Sequence, residues 1–323
     1  MSAAMRVYRW DLDKTYLHTD FESVRGLVRS AMESARDKRA VPGATALLRE
    51  LSRERPGWRP RIVLLSGSPT QMRPVLEAKL RMDGIRFDEF RLKDNLSNLK
   101  RGRIRAVRDQ FGYKLPALLA GRVGMGEAVR ETLFGDDAEA DALVYSVYAD
   151  AIAGRVSPVE LSRVMEAAGA YADDIVEALA ALRQISRADA VDRIFIRLDR
   201  GVERRDFEAL GSRVIPVATW FEAATVLVAA GEITTEGWMS VYNTSQLPES
   251  DALRAVKRQV DRGSLDVTGL RAQLLHGMEH PLGIGVLRML EGSEVGFTPP
   301  RPPIGVDWLE VWREHRRRTR SAR

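Results

Sequence analysis

Cysteine is missing from all 323 residues, which excludes disulfides and thiolate-bound metals and is compatible with a cytoplasmic location. No apolar stretch is long enough to span a bilayer, and no apolar run follows a basic start at the amino terminus. The expectation is a cytoplasmic protein without a membrane anchor. Histidine is scarce, with 4 in the chain. His276 and His280 stand four apart, a spacing that permits a metal pair on a helix, but Pro281 and the want of a third ligand argue against one. No fixed-period repeat is present.

What remains is a globular composition, 45% hydrophobic and 29% charged, in a chain long enough for one large domain or two. The net charge of +5 is unevenly placed, because Arg313, Arg316, Arg317, Arg318, Arg320 and Arg323 crowd the last residues. Such a tail is expected to be a solvated, frayed terminus. Its chemistry would also suit phosphates, whether of nucleic acid or of an acidic membrane surface.

Along the chain, short apolar runs alternate with helical periodicity. Arg6–Asp11, Arg61–Leu65, Phe87–Leu92, Glu131–Phe134 and Arg193–Leu198 read as strands. Ala44–Arg53, Thr70–Met82, Lys114–Arg130, successive segments over Val144–Arg187, and Ala218–Ala230 read as helices. Alternation of this kind predicts an α/β fold, a parallel sheet covered by helices on both faces. After Thr234 the pattern turns to helices alone, with an extended Pro-rich linker at Thr298–Pro303 and a last helix carrying Trp308 and Trp312. The expected organisation is a core over 1–234, with a helical insertion near 144–187, and a helical extension over 235–323.

Ligands of parallel α/β sheets bind outside the carboxyl ends of the strands. Polar signatures fall at three such ends: Asp11-Leu-Asp13-Lys-Thr15, Ser66-Gly-Ser-Pro69, and Gly135-Asp136-Asp137. Asp11 and Asp13, two apart, face one small volume and repel unless a cation or a shared proton lies between them. If the three ends meet, Asp11, Asp136 and the backbone carbonyl of Asp13 make an all-oxygen site suited to magnesium. Asp11 is then free to attack phosphorus, with Asp13 trading a proton with the leaving group and with water. Ser66 is expected to hold a phosphoryl oxygen, and a lysine is needed to neutralise transition-state charge.

These residues, in this order, resemble the haloacid dehalogenase superfamily of phosphatases. The resemblance implies Asp11 as nucleophile, Asp13 as acid and base, Thr15 as a support of the loop, Asp136 as a metal ligand and Asp141 as a supporting carboxylate. It also implies a lysine opening the helix before the fourth strand, and Lys114 has that place; Lys93 and Lys100 are weaker candidates. Val41-Pro-Gly-Ala-Thr-Ala-Leu-Leu-Arg-Glu-Leu51, Leu65-Ser-Gly-Ser-Pro-Thr-Gln-Met72 and Arg193-Ile-Phe-Ile-Arg-Leu-Asp199 narrow the likeness to the catalytic domain of actin-patch-type phosphatidate phosphatases and their bacterial relatives. Asp137 departs from the serine usual there, and Val144–Arg187 is longer than the corresponding segment.

The fold implied is a three-layer Rossmann-like sandwich with a helical carboxyl-terminal extension. The slots over Tyr16–Val41 and Lys93–Tyr113 are too short for a folded cap. The function implied is that of a magnesium-dependent phosphomonoester hydrolase. A nucleic-acid end phosphatase and a catalytically silent scaffold of the same fold are the alternatives.

Overall fold

A computed structural model describes residues 4–18, 34–93, 111–138, 140–199, 202–275, 280–292 and 296–321. Six parallel strands form its centre: β1 (Ala4–Asp11), β2 (Trp58–Pro69), β3 (Glu89–Lys93), β4 (Arg130–Asp136), β5 (Val191–Arg197) and β6 (Val214–Val217), in the order β3-β2-β1-β4-β5-β6. The order reverses between β1 and β4, so the topological switch point lies where these two central strands separate.

Because side chains alternate along a strand, Tyr8 and Trp10 of β1 enter one apolar layer while Arg9 and Asp11 face the other. In the first layer Trp10 stacks on Phe134, ring centres 4.2 Å apart, and lies 5.0 Å from Trp220. Helices α1 (Ala44–Leu51), α2 (Arg73–Met82) and α7 (Trp220–Ala229) close that layer. So do α8 (Thr235–Ser245), α9 (Glu249–Asp261), α10 (Val267–Leu275) and α11 (Pro281–Met289), which bury Trp238, Val256, Leu270 and Val286 in the same cluster. The opposite layer holds α3 (Phe111–Ala120), α4 (Asp141–Ile152), α5 (Pro158–Ala168), α6 (Ala172–Leu182) and α12 (Trp308–Ser321). This is the three-layer α/β architecture, with its helical carboxyl-terminal region, that the sequence pattern implies.

Three differences from the sequence reading have physical causes. β6 is absent from the sequence reading: it is four residues long, sits at the sheet edge and contains Pro216, whose missing N–H an edge position tolerates. The helix expected over Lys114–Arg130 instead spans Phe111–Ala120 and gives way to a turn at Gly121–Gly124, where Gly124 adopts a left-handed φ of 77°. The basic tail is helical to Ser321 rather than frayed. Trp308 anchors it by donating its indole N–H to Asp150 (3.1 Å), and Trp312 meets Phe111 edge-on at 5.4 Å. His280 caps α11 by accepting the Leu282 N–H (3.2 Å), whereas His276 lies outside the described residues, as do most of both cap slots and Lys100.

Beneath α3 and α4 lies a buried ionic knot. Glu131 accepts from Arg9 (2.5 Å), Arg122 (3.0 Å) and the Tyr148 hydroxyl (2.9 Å), all four side chains being fully enclosed. Burial alone would push the Glu131 carboxyl up, but Arg9, Arg122 and Tyr148 together hold it below its ordinary value of 4.5. Removing one partner of such a cluster leaves uncompensated charge, so Glu131→Gln is expected to cost about 3–5 kcal/mol at neutral pH. A depressed carboxylate stabilises fully above its unfolded value and loses that contribution as pH falls through the lower folded value. The gap between wild type and variant, measured by urea unfolding, should therefore shrink below about pH 4.5.

Candidate active site

The register of the sheet assembles the site. Asp11, last in β1, pairs with Leu65, one residue before Ser66 on β2. On the other side Trp10 pairs with Phe134, two residues before Asp136, and Asp136 itself pairs with Arg197 of β5. The carboxyl ends of four adjacent strands thus stand level, and Asp11, Asp136, Asp141 and Lys114 meet in one buried cluster. Asp11, Asp13, Thr15, Ser66, Lys114, Asp136 and Asp141 are all enclosed.

Asp11, Asp136 and Asp141 form the acidic centre, each offering a carboxylate oxygen within 4.8 Å of the others. Lys114, in the opening turn of α3, sets its Nζ 2.7 Å from Asp11 and 2.5 Å from Asp141. Carboxylates packed this tightly in a dry site repel one another unless cations intervene, and the Lys114 ammonium, bridging two of them, is one such cation. Hard oxygen donors at this spacing fit a divalent cation. Asp136 is oriented by Thr15, whose hydroxyl donates to it (3.1 Å), and by the Ala138 N–H (2.7 Å).

The Asp13 carboxylate is not part of that triad; instead two serines hold it. Ser66 donates its hydroxyl to Asp13 Oδ2 (2.7 Å), and Ser68 donates from 3.2 Å. Ser66 Oγ also accepts the Ser68 N–H (3.0 Å). The Ser66 hydroxyl, expected to serve a phosphoryl oxygen, is thus engaged with Asp13. The sequence reading gave Ser68 no role, although Ser-x-Ser repeats the two-residue spacing that places Asp11 and Asp13 on one side. Tyr113, next to Lys114, was also passed over. Its ring lies 5.6 Å from the Lys93 ammonium, and burial pushes its hydroxyl well above the ordinary tyrosine value, so it stays protonated.

The turn after Asp11 is bound from one later strand and one later helix. Lys14 adopts a left-handed φ of 60°. Its carbonyl accepts from Arg197 Nε (3.1 Å) and Nη2 (2.7 Å), and the Thr15 carbonyl accepts from the Trp220 indole (2.9 Å). Arg197 in turn meets Asp199 at 2.6 Å. Asp137, adjacent to the acidic centre, accepts the backbone N–H of Asp199 (2.7 Å) and Val202 (3.3 Å).

Fold and site together define a doubly wound α/β domain with a carboxylate-and-lysine centre at its switch point. More particularly, residues 10–162, just under half of the chain, match the model of a protein family described as the catalytic domain of phosphatidate phosphatase APP1. The likeness drawn from the motifs therefore holds over this stretch, which carries Asp11, Ser66, Lys114, Asp136 and Asp141, and it supports phosphatase activity. No curated protein and no solved structure matches the chain. No helix among the described residues is long and apolar enough to cross a membrane.

Gly135 is required by this packing. A Cβ there would lie 2.6 Å from Asp141 Oδ2, 2.7 Å from Asp141 Cβ and 2.9 Å from the Tyr145 ring. Central strand β4 is hydrogen-bonded on both sides and cannot retreat. Gly135→Ala should displace Asp141 and lower turnover by about 10- to 100-fold while the far-ultraviolet circular dichroism stays native. An unchanged rate would show that the Asp141 position is unimportant.

Proposed function

We propose that this chain is a magnesium-dependent phosphomonoester hydrolase of the haloacid dehalogenase type, working through an aspartyl-phosphate on Asp11. The observation that carries the reading is the convergence of Asp11, Asp136, Asp141 and Lys114 in one buried volume, beside an Asp13 held by two serines. Asp11, Asp136 and Asp141, with the carbonyl of Asp13, would hold the metal. When bound, it supplies positive charge that screens the carboxylates from the phosphate dianion.

A carboxylate oxygen of Asp11 attacks phosphorus and forms a P–O bond as the bond to the leaving oxygen breaks. Asp13, protonated for this step, gives its proton to that oxygen. Water then attacks the same phosphorus, Asp13 takes a proton from it, and the bond to Asp11 breaks to release inorganic phosphate and restore the carboxylate. Hydroxyls of Ser66 and Ser68 keep Asp13 turned toward the reacting atoms. Lys114 neutralises charge growing on the phosphoryl group and orients Asp11 between attacks.

The matched family's name, phosphatidate phosphatase, favours a phosphorylated lipid as substrate. A nucleic-acid substrate draws little support from the basic tail, because Arg317 pairs with Glu310 and Arg318 with Asp206 and Glu314. A silent scaffold is disfavoured by the presence of every residue type the chemistry requires. We take residues 1–234 as the catalytic core, 235–323 as a helical extension packed on it, and the cytoplasm as its location.

Hydrolysis of an aryl phosphate and of micellar phosphatidate should require magnesium, vanish on chelation and return on its readdition. Asp11→Asn should lower turnover by at least about 10³-fold, as expected when a nucleophile is removed. Undiminished turnover by that variant, or full activity in excess chelator, would contradict the reading.

A further inference from the structure

Arg197 has no part in the chemistry just described and lies beyond the matched segment, yet it is 7% exposed and donates two hydrogen bonds into the nucleophile turn. We infer that Arg197, Asp199 and Asp137 form a latch that positions the Asp11–Thr15 turn, and that Arg197 is a positioning residue for the reaction. The inference rests on Asp11 being the nucleophile.

The geometry gives the reason. Lys14 sits in a left-handed conformation that a non-glycine residue adopts only at a cost of about 1 kcal/mol or more, so surrounding contacts must hold it there. Arg197 supplies them. Its planar fork places Nε and Nη2 on the single Lys14 carbonyl oxygen at 3.1 and 2.7 Å, a geometry that a lysine, whose donors share one nitrogen, does not reproduce. The fork is fixed from behind, where Nη2 also donates to Asp199 at 2.6 Å. Asp199 is in turn held through its backbone N–H by Asp137, next to the triad member Asp136. Register closes the ring, since Arg197 is the β5 partner of Asp136 on β4.

The latch therefore ties the turn that carries Asp13 to the strand end that carries Asp136, by a route independent of the Thr15–Asp136 bond. It also gives Asp137 a task. A serine in its place would offer one hydroxyl oxygen, whereas the two Asp137 oxygens accept separate N–H groups of Asp199 and Val202. The Trp220 indole on the Thr15 carbonyl holds the same turn from the other apolar layer, so loss of Arg197 frees the turn without unfolding the domain.

The test compares wild type with Arg197→Met, Arg197→Lys and Asp199→Ala. Two readouts are used: steady-state kinetics on an aryl phosphate, and amide hydrogen exchange over residues 12–18. Both Arg197 variants should lose about 10- to 100-fold in kcat, as misplacement by an ångström costs, with KM changed by less than about threefold. Asp199→Ala should fall between them and wild type. Exchange at Tyr16 and Leu17, whose N–H groups bond Leu12, should quicken in every variant. In a further variant, Arg197→Ala, added guanidinium should restore part of kcat, which a mere loss of fold stability would not allow. Unchanged kcat and exchange in Arg197→Met would overturn the latch; so would a raised KM at constant kcat, which would make Arg197 a substrate contact. If Arg197→Met does not fold, Asp199→Ala decides by the same readouts. A wild type inactive on every phosphomonoester would sink the hydrolase reading, while the exchange comparison would still decide whether the latch exists.

Discussion

The mutual repulsion of carboxylates brought together at the β1/β4 switch point is the constraint from which the rest of the site follows. Asp11, Asp136 and Asp141 lie close enough to share one ion, in a volume from which water is largely excluded. Such an arrangement persists only if positive charge and oriented dipoles surround it. Lys114 supplies charge, Thr15 and the Ala138 N–H supply dipoles, and the spacing of the carboxylate oxygens fits a hard cation. The same potential that makes the cluster expensive suits its oxygen donors to a divalent cation.

The fold resists that potential by rigidity. Asp11 and Asp136 extend from the two most central strands, whose backbones are hydrogen-bonded on both sides. Trp10, Phe134, Phe195 and Trp220 pack beneath one face of those strands, and the Arg9–Glu131–Arg122 knot lies beneath the other. The carboxyl-terminal helices contribute to the same rigidity, since α8 to α11 complete one apolar layer and Trp312 of α12 rests on Phe111, one turn before Lys114.

How much of this was legible follows from what kind of signal each residue leaves. Asp11, Asp136 and Ser66 could be found because they end apolar runs, and a strand's carboxyl end is where a parallel sheet binds its ligand. Lys114 was placed by its position in a helix, and a shift of that helix's start by three residues did not move it. Ser68 and Arg197 stand inside the motifs that carry the likeness but offer no local sign of a role, because a Ser-x-Ser turn looks like turn chemistry and an arginine ending a strand looks like a solvated terminus; Tyr113 leaves no mark at all. Their roles depend on cross-strand register and on a left-handed residue at Lys14, neither of which local periodicity encodes. β6 was illegible for a similar reason, being short and interrupted by proline.

The central claim is that Asp11 becomes covalently phosphorylated, and the most direct test is to catch it in that state. Turnover with a fast aryl phosphate and magnesium, quenched in acid within milliseconds, should yield a peptide spanning Asp11 that is heavier by one phosphoryl group and loses it to hydroxylamine. Continued turnover with no phosphoryl group on that peptide, or with the label on another residue, would contradict the account.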